Sequence, residues 1–147
     1  MSGPALLDVN VLIALFDPTH VHHEPAHDWF ADHRSRGWAT CPFTQNAFIR
    51  ILSRPREGRP VDRPSALAAH LQTLCAAPEH VFWPDDVSLL DGRRFDLSAA
   101  PHRHLADIYL LGLAQANGGT LATFDRSIPA GAVIGTPIPT LEIIGAS

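Results

Sequence analysis

Three aspartates stand where alternating strands and helices would gather acids into one crevice. Asp8 ends a short apolar run and sits inside Ala5-Leu6-Leu7-Asp8-Val9-Asn10-Val11-Leu12-Ile13, an otherwise apolar stretch. Asp107 lies one turn into the strongest helical segment, amid leucines and a tyrosine, where a lone acid is costly without a partner. Asp125 follows the apolar run 120–123. Converging carboxylates repel one another and raise one another's pKa values. A hard divalent cation removes that penalty and prefers oxygen ligands. Magnesium held there would activate water and neutralise charge on a scissile phosphate. Singly, Asp8 has a helix N-cap as its lesser reading, and Asp125 reads equally well as a turn cap. The set of three argues for chemistry more strongly than any member.

The elements that must position these acids follow from apolar spacing. Residues 5–7 suit a buried strand, and 9–16 begin a helical pattern. Residues 23–36 form an amphipathic helix with Ala26, Trp29 and Phe30 on one side. A second strand is expected at 38–41. A helix is expected at 44–53, where Ala47, Phe48, Ile51 and Leu52 fall at helical spacing. The Pro-rich stretch 54–64 is a loop, and Ser65 is the expected N-cap of a helix running to about residue 77. Residues 80–83 give a third strand and 86–95 a short helix. The clearest helix spans 102–117, stopped by Gly118-Gly119. Strands are expected at 120–123 and 133–136. Strands alternating with helices imply a parallel sheet covered on both faces, whose ligand site lies beyond the carboxyl ends of the strands.

The bulk properties set limits. The chain has 147 residues, 46% hydrophobic and 18% charged, the profile of one globular domain over 1–147. Its longest apolar runs are too short to cross a bilayer. Met1-Ser2-Gly3-Pro4 carries no basic side chain, which makes a poor secretory signal. Cys41 and Cys75, without CxxC or zinc spacing, read as buried thiols in a reducing cytoplasm. The net charge of −4 does not advertise nucleic-acid binding, but its distribution is informative. There is no lysine, and five of the 11 basic residues, Arg50, Arg54, Arg56, Arg59 and Arg63, fall close together. A local arginine patch can serve phosphates, or simply face solvent.

Leu6-Leu7-Asp8-Val9-Asn10-Val11-Leu12-Ile13 resembles the opening of a PIN domain, whose first metal-binding acid is the aspartate. Leu105-Ala106-Asp107-Ile108-Tyr109-Leu110 resembles the third-acid helix of the VapC toxins of that family, and Leu121-Ala122-Thr123-Phe124-Asp125-Arg126 their fourth-acid strand and turn. The resemblance covers almost the whole chain in family order. It implies a PIN-like three-layer α/β/α sandwich with a central parallel sheet of four to five strands. It further implies RNA cleavage dependent on Mg2+, with Mn2+ able to substitute, a cognate antitoxin partner and a homodimer. Asp8, Asp107 and Asp125 are then the metal ligands. One position departs from the pattern. The family's second acid is a glutamate on the helix after the second strand, and Thr44-Gln45-Asn46-Ala47-Phe48-Ile49-Arg50 carries no acid. Asn46 is the first candidate for that place and Gln45 the next. An amide can hold a metal-bound water but supplies no charge.

Other residues are read around this core. Asn10 is placed to orient Asp8 or to cap the turn, and Thr123 to aim its hydroxyl at the site. Arg50, Arg54 and Arg126 are candidate RNA contacts, as are His102 and His104, neither of them read as a catalytic base. Asp91, Asp96 and Glu57 are the acids that could replace the absent glutamate in space. His20, His22, His23 and His27 form a cluster without a complete zinc motif, better read as a surface helix start. Two rivals remain. One is a PIN-like RNA- or protein-binding module without activity. The other is a haloacid-dehalogenase-like phosphotransferase, disfavoured because Asn10 replaces its second aspartate and no lysine exists to steady a phosphoryl group.

Overall fold

The computed structural model describes residues 3–58 and 61–145. Five short strands, β1 (Ala5–Leu7), β2 (Trp38–Thr40), β3 (His80–Phe82), β4 (Thr120–Thr123) and β5 (Leu141–Ile143), form one parallel sheet in the order β3-β2-β1-β4-β5. In the central pairings Ala5 lies opposite Trp38 and Thr120, and Leu7 opposite Ala122. Strands buried on both faces need no polar alternation, which explains the uninterrupted Ala5-Leu6-Leu7.

Five helices, α1 (Val9–Phe16), α2 (His23–His33), α3 (Pro42–Leu52), α4 (Pro64–Cys75) and α5 (Leu105–Ala116), cover the sheet. The period of two along each strand divides the core. Ala5, Leu7, Trp38 and Ala122 pack under α1 to α4, with Leu12, Phe30, Phe48 and Leu71. Leu6, Ala39 and Leu121 face the other way, onto Ile108, Leu111 and Leu113 of α5. The result is the expected α/β/α sandwich. Helix α5 ends as read from the sequence: Gly118 takes φ 70°, and the Gly118 and Gly119 N–H groups return to the Gln115 and Ala114 carbonyls.

Several boundaries differ from expectation. Helix α2 ends at His33 and tightens into a 3₁₀ turn, Arg34–Arg36, closed by Gly37 at φ 101°. Helix α4 is capped by Arg63 with Pro64 as its first residue, not by Ser65, because a proline with preset φ suits the first helical position. No helix forms over 86–95. There Ser88 Oγ accepts the Leu90 N–H (3.1 Å) and Asp91 Oδ1 the Arg93 N–H (3.0 Å), local bonds that compete with helix formation. The fifth strand is Leu141–Ile143, not 133–136. Val133 makes only a single antiparallel bridge with Phe95, since Gly135 turns to φ 87° and Pro137 has no N–H for a ladder. No helix among the described residues is long and apolar enough to cross a membrane. Cys41 and Cys75 are both free thiols.

Candidate active site

The strand order reverses between β1 and β4, and the crevice of such a sheet opens at the carboxyl ends of those two strands. Asp8 follows the last residue of β1, and Asp125 lies two residues past the end of β4. The Asp8 N–H is anchored on the Ala122 carbonyl at 3.0 Å, so the two strand ends are held together.

The Asp8 side chain is 6% exposed. Its Oδ1 accepts the Val9 N–H at 2.7 Å, making it the N-cap of α1, while Oδ2 accepts the Thr123 hydroxyl at 2.8 Å. Capping and a place in the acidic crevice are thus properties of one residue. Burial pushes its pKa from 3.8 up to about 6. The Thr123 bond opposes that rise, while the charges of Asp107 and, less strongly, Asp125 add to it.

Asp107 is the third residue of α5 and half-buried. Burial raises its pKa; a bond from His104 pulls it down and the Asp125 charge pushes it up. Asp125 is the most solvated of the three, and Ser127 holds its carboxyl below the usual range by donating both its hydroxyl (2.6 Å) and its N–H (2.8 Å) to Oδ1. Nδ1 of His104 lies 3.2 Å from Asp107 Oδ2 and 3.9 Å from Asp125 Oδ2. One potential ligand atom each from His104, Asp107 and Asp125 falls within 4.8 Å of the others, the one such cluster among the described residues.

Helix α3 brings amides, not acids, toward this end of the sheet. Gln45 is half-buried and donates Nε2 to Thr40 Oγ1 at 3.0 Å, which ties it to β2. Asn46 is exposed on the next position. The start of the helix is fixed by Thr44 Oγ1, which accepts the Cys41 N–H at 3.0 Å. It is also fixed by Asp85, which accepts the Phe43 N–H (2.8 Å) on one oxygen and the Tyr109 hydroxyl (2.9 Å) on the other. Asp85 therefore clamps α3 to α5, and burial together with its charge drives the Tyr109 phenol well above its ordinary range.

The remaining sequence candidates are distributed as follows. Asn10 is exposed, and its side chain has no hydrogen bond to a described residue. Arg50, Arg54, Arg56, Arg63 and Arg126 are exposed, and among the described residues Arg50, Arg54 and Arg126 form no ion pair; Arg59 lies outside the described residues. Asp91 and Asp96 are engaged in their own turns with Arg93 and Ser98, and Glu57 is exposed. His102 is exposed, whereas His104 is buried. Two of the N-terminal histidines, His23 and His27, bond the Ala14 and Leu15 carbonyls at 2.6 and 2.8 Å, satisfying the orphan end of α1, while His20 and His22 stack on Phe124. Sequence reasoning underrated His104, and it missed Ser127 and Asp85. His104 stands three residues before Asp107 and Ser127 two after Asp125, spacings that bring side chains onto the acids.

A three-layer parallel sandwich with aspartates at its switch point is the architecture of a PIN domain. The PIN domain family matches residues 5–133, and the chain belongs to that family. Within it the chain is similar to Ribonuclease VapC39 of Mycobacterium tuberculosis, 44% identical over 125 residues, which cover 84% of this chain and 90% of that protein. It is equally similar to Ribonuclease VapC44 of the same species, 44% identical over 136 residues, 89% of this chain and 92% of that one. Ribonuclease VapC38 follows at 38% over 130 residues, 84% and 86% of the two chains. This membership sets aside the phosphotransferase reading.

Proposed function

We propose that this chain is a divalent-metal-dependent endoribonuclease and the toxin of a toxin–antitoxin pair, working in the cytoplasm. The observation that carries the reading is the buried Asp8 carboxyl, its pKa raised to about 6 by burial, and further by the nearby Asp107 and Asp125 charges. Such an arrangement is unfavourable alone and favourable around a cation. The similarity to ribonucleases VapC39 and VapC44 supports RNA as the substrate.

The donor set fits Mg2+, with Mn2+ as a substitute: Asp8, Asp107 and Asp125 would hold it through oxygen. A bound dication supplies an activated water and neutralises charge on the scissile phosphate. The protein's own contribution is positional. Thr123 and the Val9 N–H orient Asp8, Ser127 orients Asp125, and the Asp85 clamp sets α3 against α5. Asn46 takes the place of the family's second acid and positions water through its carbonyl. Arg50, Arg54 and Arg126 contact the RNA backbone, where a planar guanidinium gives paired hydrogen bonds to phosphate. A cognate antitoxin would block the crevice with a basic side chain that competes with metal, and the active form is a homodimer.

The test is cleavage of RNA by purified protein with Mg2+, with Mn2+ and with chelator, beside Asp8→Asn and Asp107→Asn. Metal-dependent cleavage lost in both folded variants is expected. Equal cleavage by both, free of contaminating nuclease, rules the assignment out. The amide at position 46 favours a second reading, a PIN-like module that binds RNA or protein without cutting. RNA binding without cleavage at saturating Mn2+ would establish it.

A further inference from the structure

We propose that His104 completes this site as a nitrogen ligand and makes it selective for Mn2+ over Mg2+; the inference rests on the reading that the acids hold a divalent cation. The hydrogen-bond chain around the ring carries it. Ser127 has one hydroxyl proton, and its 2.6 Å contact with Asp125 Oδ1 uses it. Toward His104 Nε2, at 3.4 Å, the same oxygen is left only as an acceptor, so Nε2 is the N–H donor of the ring. Metal binding then releases the Nδ1 proton and leaves a lone pair there, 3.2 Å from Asp107 Oδ2 and 3.9 Å from Asp125 Oδ2. A dication among the three takes the place of the Nδ1 proton that serves Asp107 in the metal-free protein.

The ring is not free to turn away. Its side chain is 7% exposed and sits on the 3₁₀ turn His102–His104 that leads directly into α5. The Ser127 oxygen fixes the tautomer as the outer partner of a ligating histidine does. Magnesium takes oxygen ligands and keeps its waters, whereas imidazole binds transition-metal dications, Mn2+ being the hardest and weakest of them. Three carboxylates and one imidazole therefore favour a transition-metal dication, Mn2+ included, over Mg2+.

Pulsed EPR of the full-length, untagged protein loaded with one equivalent of Mn2+ decides the matter. A nitrogen coupling from a bound imidazole is expected, and it disappears in His104→Gln. By calorimetry, His104→Gln should lose at least about tenfold in Mn2+ affinity, since even outer partners of metal ligands are worth that much. Its Mg2+ affinity should change by less than about twofold, because magnesium gains little from nitrogen. Bound Mn2+ without nitrogen coupling in the unmutated protein overturns the role of His104 and leaves the acids as a cation site. Failure to bind Mn2+ at all overturns both. The measurement on the unmutated chain stands even if His104→Gln does not fold.

Discussion

The Thr123 hydroxyl donates a 2.8 Å hydrogen bond to Asp8 Oδ2, joining the ends of two neighbouring strands across 115 positions of sequence. Thr123 Oγ1 in turn accepts the Asp125 N–H at 3.1 Å. Thr123 thus links the two strand-end acids and is the strongest influence favouring the charged form of Asp8.

Thr123→Val removes that bond while keeping the shape of the side chain. Asp8 should then titrate above about 6, because the charged form loses its donor. Cation binding, which requires the carboxylate, should shift to higher pH. Stability should fall by about 1 kcal/mol or somewhat more, the worth of a buried hydrogen bond and its orphaned partner. Mn2+ affinity measured from pH 5 to 8 checks this, and an unmoved midpoint would refute it.

Asp8→Asn should separate stability from binding. A carboxyl whose folded pKa is raised from 3.8 to about 6 binds more protons in the folded state between those values. Its contribution to stability is present at low pH and lost as pH rises through that window, by about 3 kcal/mol. Asparagine stays neutral and still caps a helix. The metal-free variant should therefore melt several degrees higher than the metal-free parent at pH 7, with the difference vanishing near pH 4. Added metal should stabilise the parent and not the variant. Thermal melts with and without chelator read both effects; a variant less stable at pH 7 would contradict them.

The order of elements and the places of the three acids at strand and helix ends were legible because they depend on local signals: an apolar run interrupted once by Asp8, a helix stopped by Gly118-Gly119, and a strand ending before Asp125. What could not be read depends on partners distant in sequence. The sheet's edge strand is Leu141–Ile143 because that segment, unlike 133–136, reaches β4 without a glycine turn and a proline in the way. His104 gave the weakest signal: two histidines flank Arg103 in sequence, and only packing buries one and leaves the other exposed. The clamp of Asp85 on Phe43 and Tyr109 spans three separate segments and has no local mark.

Asn46→Asp tests the missing charge. Gln45 is committed to Thr40, which leaves its exposed neighbour as the proposed place of the second acid. An added carboxylate near a bound dication should raise metal affinity roughly fivefold, about 1 kcal/mol at surface-like screening. Cleavage at limiting Mg2+ should rise with it. An unchanged metal titration in the folded variant would place Asn46 outside the site.

Arg50 lies in the last turn of α3 and Arg54 two residues past its end, both exposed and without ion pairs among the described residues. Neither pairs with a core carboxylate, so Arg50→Ala with Arg54→Ala should leave the melting temperature within a degree or two, as expected of exposed positions. If both contact phosphates, RNA binding weakens at low salt, and the logarithmic salt slope falls by about 1.4, two single-strand contacts at roughly 0.7 each. Metal affinity, if set by the acids as proposed, should not change. The decisive comparison is melting temperature, metal titration and salt slope on one preparation. A lowered melting temperature with an unaltered slope would make the arginines structural and remove them from the RNA path.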